Sequence, residues 1–113
     1  MDIKQEDLIK FWTWCGFKVR KPHNKNSAML YSDPRTPDCK SLLILPEITI
    51  ETLYQYAVPF LQSNGYIVQL IANAKHGFKV EIYNWRYNYK MEHLSPTEAL
   101  YQAILKVIDN EVK

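Results

Sequence analysis

The sequence lacks most of what announces a chemistry. It has only three glycines in 113 residues, so no glycine-rich loop is there to cradle a phosphate. Gly16, Gly65 and Gly77 each read instead as a helix stop or a turn. There are two cysteines, Cys15 and Cys39, with no C-x-x-C pair. The histidines His23, His76 and His93 stand far apart, with no H-x-x-x-H. A metal site needs such groups to converge, so none is expected. Cys39 follows Asp38 in a proline-containing loop, and only a chance approach of His23 would make it a nucleophile. No apolar run approaches the ~18 residues of a membrane span. Residues 1–7 are polar and acidic, so no signal peptide is expected and a reducing cytoplasm is the expected setting. The net charge of +2 is too slight to argue for nucleic acid or an anionic membrane. The expectation is therefore no catalytic residue, no cofactor, no metal and no membrane.

What is present reads as an ordinary folded domain. Hydrophobic residues make up 47% and charged residues 23%, which fits a globular chain and not a disordered one. The length suits one domain over 1–113 with one core. Eight tyrosines and three tryptophans must either be buried with their polar ends at the edge or serve as a contact surface.

The clearest element is the last. In S-P-T-E-A-L-Y-Q-A-I-L-K-V-I, Ser95 and Glu98 form a capping box, each side chain meeting the other's amide. Pro96 falls where its missing N–H costs nothing. Ala99, Leu100, Ala103, Ile104, Val107 and Ile108 then recur at helical spacing and make one apolar stripe. Its two alanines would let the helix backbone approach a sheet closely.

Upstream, residues 2–15 read as a helix capped by Asp2 with Gln5. Leu8, Phe11, Trp12 and Cys15 form its buried face, and Gly16 stops it. Residues 17–20, 28–31 and 42–45 are brief extended pieces. Between them lie a basic run, 18–25, and the loop 32–40, read as solvated segments. A second helix over 49–64 is capped by Thr49, with Ile48 folding onto Leu53. It buries Leu53, Ala57, Phe60 and Leu61, with Tyr54 beside them. Pro59 should kink its last turn. Residues 66–72 are strand-like, and 73–77 is a hairpin turn. In 78–83, Phe78, Val80 and Ile82 alternate with Lys79, Glu81 and Tyr83, one face dry and one wet. A turn near 84–88 and a third strand to about Glu92 complete a three-stranded antiparallel meander. The expected class is α+β: a meander packed against helices, with an N-terminal helix added.

Several segments together carry a family resemblance. They are L-P-E-I-T-I-E-T-L-Y-Q-Y-A-V-P-F-L, N-G-Y-I-V-Q-L, G-F-K-V-E-I-Y and the closing S-P-T-E-A-L-Y-Q-A-I-L-K-V-I. The chain resembles the phage ABA sandwich domain family, small proteins of phages, prophages and metagenomic sequence. The opening L-I-K-F-W-T-W-C-G-F is similar to the start of some members, so the resemblance covers most of the chain outside the variable loop. It implies a helix–sheet–helix sandwich and a mobile-element setting, and it carries over no catalytic residue.

The remaining candidate is a binding surface. Residues 84–90, N-W-R-Y-N-Y-K, concentrate Trp, Tyr and Arg, the side chains that dominate contact energetics. Trp85, Arg86, Tyr87, Tyr89 and Lys90 are the expected site. A protein partner or a second copy of the chain is the first expectation. RNA or DNA binding through the aromatic and basic segment 79–90 is the second. Helix–three strands–helix is also the order in a double-stranded RNA-binding domain. The last helix there opens with lysines, whereas this one opens with Pro96, Thr97 and Glu98.

Overall fold

Capping and stop signals decide where the helices begin and end. The computed structural model describes residues 3–20, 30–32, 41–42, 45–73, 75 and 77–112. The chain divides into two compact units, Asp2–Glu47 and Ile48–Lys113.

In the first unit, helix α1 spans Gln5–Trp14. The expected start at Asp2 is corrected: the extended N-cap is Lys4, which offers no side-chain cap, and Asp2 lies outside the described residues. The end is as expected. The Gly16 amide donates to the Thr13 carbonyl and the Phe17 amide to the Trp12 carbonyl, at 3.1 and 3.0 Å. That pair of bonds is a Schellman motif. Its usual apolar clasp is also there, with Trp12 and Phe17 edge to face at 5.3 Å. Trp12 donates its indole N–H to the Pro46 carbonyl at 2.8 Å, so the most buried large side chain leaves no polar atom unpaired. Phe11, Trp12, Cys15, Phe17 and Leu45 are buried. Burial pushes the Cys15 thiol up to about 12, which keeps it protonated and unreactive. The three extended pieces pair with each other. β1 (Lys18–Arg20), β2 (Leu30–Ser32) and β3 (Ser41–Leu42) form an antiparallel sheet in that order. His23, Cys39 and most of the basic run lie outside the described residues.

The second unit opens with one continuous helical segment: α2 (Ile50–Thr52), a π-helical stretch (Leu53–Ala57) and α3 (Val58–Ser63). Thr49 caps it reciprocally with Thr52, each hydroxyl accepting the other's amide at 3.1 and 3.0 Å. Pro59 coincides with a change of helix type. It falls in the first turn of α3, and the turn ahead of it widens, with the Val58 amide reaching the Leu53 carbonyl five residues back. A π-turn inserts one residue into the helix and rotates the turns beyond it. Val58 therefore joins Leu53, Ala57 and Leu61 in the core, while Phe60 is only half-buried. Gly65, at φ +87°, closes the helix. Its amide meets Gln62 and that of Tyr66 meets Leu61, and both Leu61 and Tyr66 are buried.

Strands β4 (Ile67–Asn73), β5 (Gly77–Tyr83) and β6 (Asn88–His93) form the expected antiparallel meander. Val80 pairs with Leu70 on one side and Met91 on the other; Ile82 pairs with Val68 and Tyr89. Helix α4 (Pro96–Val112) packs on β5 and β6, and α3 contacts β4. Ala99, Leu100, Ala103, Ile104 and Val107 are fully buried, as are Val80 and Ile82. Burial of each branched side chain is worth about 2 kcal/mol. Ile108 is half-buried, and Tyr101 joins the core from the flank of the stripe. The architecture is α+β, with helices packed on an antiparallel sheet.

The start of α4 departs from the expected capping box. The Glu98 amide does approach Ser95 Oγ, at 3.4 Å. Glu98 does not reach back to the Ser95 amide. That amide donates to His93 Nδ1 at 3.0 Å, and Glu98 Oε2 lies 2.6 Å from His93 Nε2. The imidazole thus stands between the two halves of the box.

Candidate contact surface

The β5–β6 connection is the four-residue stretch 84–87, between Tyr83 and Asn88. Loops of this length are most often built on a type I turn, which needs no positive φ. Here no residue other than glycine has positive φ among those described. The Asn84 side chain fastens the turn. The Asn84 amide donates to the Tyr87 carbonyl at 2.9 Å. Asn84 Oδ1 accepts from the amides of Arg86 and Tyr87, at 2.9 and 2.6 Å. This Asx turn ties the loop at three points.

The tie sends Trp85 outward. It is 91% exposed, a large apolar side chain at the tip of a fastened hairpin. Arg86 lies over the Tyr87 ring at 5.2 Å, within cation–π range. Tyr87 is 37% exposed, with its ring centroid 6.0 Å from that of Tyr89. These four residues therefore gather at one end of the sheet. Lys90 does not join them. It alternates to the opposite face from Tyr89, where Glu81 lies 3.9 Å away and also pairs Lys79 at 3.3 Å. The expected five-residue site becomes four residues and a separate ion pair.

Behind the tip are residues whose place beside the site is not evident from the sequence. Tyr66 donates to Glu111 Oε1 at 2.7 Å. Burial raises the Tyr66 hydroxyl well above its ordinary value, the Glu111 hydrogen bond and charge add to this, and Tyr89 and Tyr87 contribute less. The Tyr89 hydroxyl is raised first by burial, against which the Asn110 side chain pulls. Tyr89 Oη is buried and makes no well-formed hydrogen bond among the described residues, although the Asn110 side chain lies near it. The signal for this grouping, an aromatic directly after Gly65 and another on β6, becomes visible only once the strands are in register.

One cluster elsewhere has the composition of a hydrolytic triad: Ser95, His93 and Glu98. Its geometry is that of a cap. Both imidazole nitrogens are occupied, Nδ1 by the Ser95 backbone amide and Nε2 by Glu98. None is left to take a proton from Ser95 Oγ, as nucleophilic catalysis requires. Among the described residues, no three or more His, Cys, Asp or Glu side chains are arranged to hold a metal ion. No described helix is long and apolar enough to cross a membrane. No family model, no curated protein and no solved structure matches this chain.

Proposed function

We infer that this chain is a small, non-enzymatic accessory protein of a phage or mobile element, acting through protein–protein contact at the β5–β6 hairpin tip. The observation that carries the reading is the exposure of Trp85 on a turn held by Asn84. An exposed tryptophan on a flexible loop would lose conformational entropy on binding; one on a fastened turn has already lost much of it. Arg86 and Tyr87 beside it supply the polar and cationic rim that contact hot spots use. Nucleic acid is the weaker reading, because Glu81 engages two of the three cations of the 79–90 segment, Lys79 and Lys90. That leaves Arg86 with little help in neutralising a phosphate backbone.

A photo-crosslinking residue placed at position 85 and, in a control, at Gln102 on α4 would test it in host cells. The expected result is a discrete protein adduct from position 85 alone. Trp85→Ala should leave the unfolding midpoint unchanged, because an exposed side chain carries little stability. The same substitution should reduce the capture of that adduct partner at least tenfold. Equal adducts from both positions, or salt-sensitive retention on RNA with no protein adduct, would overturn the reading.

A further inference from the structure

The sheet β4-β5-β6 has two edges, and they are built oppositely. β6 carries Lys90 and Glu92, and Lys106 of α4 donates its ammonium to the Lys90 carbonyl at 3.0 Å. Charged side chains and a covered carbonyl are the means by which an edge strand avoids pairing with another chain. β4 has neither. Its residues are Ile67, Val68, Gln69, Leu70, Ile71, Ala72 and Asn73. No charge and no proline interrupts them. Ile67 is 50% exposed and Ile71 44%, so the face of β4 turned away from α4 stays uncharged and open. On that face the register sets Ile71 beside Lys79 and Gln69 beside Glu81; the charge stops at β5.

The composition of β4 selects its occupant. A charged foreign strand would find no opposite charge on β4 to recognise it. A second β4 meets no penalty. Laid antiparallel on itself about Leu70, Ile67 meets Asn73, Val68 meets Ala72, Gln69 meets Ile71 and Leu70 meets its own copy. The period-two alternation keeps each pair on one face, and no pair sets like charges opposite each other. We propose that β4 is a self-association edge, at which two copies of this chain pair antiparallel about a two-fold axis at Leu70 and join their meanders into one continuous sheet. The contact is isologous, so it closes at the dimer and does not propagate. It is independent of the hairpin tip at Trp85.

Sedimentation of the full chain over a range of concentrations tests this directly. The expected mass is twice that of the chain at the upper end. The double variant Gln69→Lys, Ile71→Lys should sediment at half that mass, and so should Gln69→Glu, Ile71→Glu. An equimolar mixture of the two should regain the dimer, since lysine then faces glutamate at both pairs. Trp85→Ala should leave the dimer intact. Amide exchange over 67–73 in the unaltered chain should slow as concentration rises, a readout that needs no substitution. A monomer at every concentration, a dimer that survives both charged variants, dissociation by Trp85→Ala, or exchange independent of concentration would each overturn the proposal. So would an unaltered chain that stays monomeric while an added extended peptide protects 67–73.

Discussion

Tyr89 and Tyr66 stand in the same tyrosine cluster and bury hydroxyls of opposite fortune. Tyr66 Oη donates to Glu111; Tyr89 Oη is buried with no well-formed hydrogen bond among the described residues, only the Asn110 side chain near it. Removing a satisfied polar group costs about 1 kcal/mol, whereas removing an unsatisfied one costs nothing or gains. Tyr89→Phe should therefore match or exceed the parent in denaturant unfolding, by up to about 1 kcal/mol. A clear loss would mean that the hydroxyl is held after all. The sequence shows Trp85, Tyr87 and Tyr89 at alternating positions, which cannot separate core from surface. Tyr89 obeys the strand alternation and turns inward. Trp85 escapes it, because it sits in the loop and not in the strand.

Elements are held at their ends by single side chains, and those ends respond to substitution. Asn84→Ala removes the acceptor of the Arg86 and Tyr87 amides and should cost about 1 kcal/mol. Its effect should be confined to the tip, seen as faster amide exchange at Arg86 and Tyr87 with β4 unaffected. Exchange that quickens along the whole sheet would contradict a local role. Gly77 is a harder constraint. Its φ is +87°, and a Cβ there would come within 2.7 Å of the His93 carbonyl oxygen and 2.8 Å of the Leu94 Cα. Neither neighbour is a side chain that can swing away. Gly77→Ala should lower stability by about 2–3 kcal/mol, measured as a drop in the denaturant midpoint. An unchanged midpoint would show that the backbone of 93–94 yields. The turn around Gly77 was legible from its residues, but the close approach of the third strand's end was not. Likewise Ser95 and Glu98 announced a cap, and the side chain of His93, two residues ahead of Ser95, stands between them.

For the molecule as a whole, the raised tyrosines contribute to the response to alkali, beside the buried Cys15 thiol. An unfolded tyrosine loses its proton near pH 10. Folded Tyr66 and Tyr89 lose theirs at higher pH. Below about 10 both states keep these protons, so the two tyrosines add no pH dependence. Above it the unfolded state ionises first and binds fewer protons, so stability falls as pH rises. Tyr66→Phe loses the Glu111 bond and should be about 1 kcal/mol less stable at pH 8. It should also fall less steeply above about pH 10, so that its curve converges on the parent's. Parallel curves would remove Tyr66 from the alkaline response.

The α+β class, the meander order, the buried stripe of α4 and the glycine stops were determined by the sequence itself. Each is a local rule of period or backbone freedom, readable over a few residues. What only the tertiary structure decided is which groups meet across the chain. The pairing of the short strands β1, β2 and β3, the split of Lys90 from Trp85 and the contrast between the β4 and β6 edges all depend on register. Register comes from the packing of whole faces, where a shift of one residue exchanges every inward side chain for an outward one.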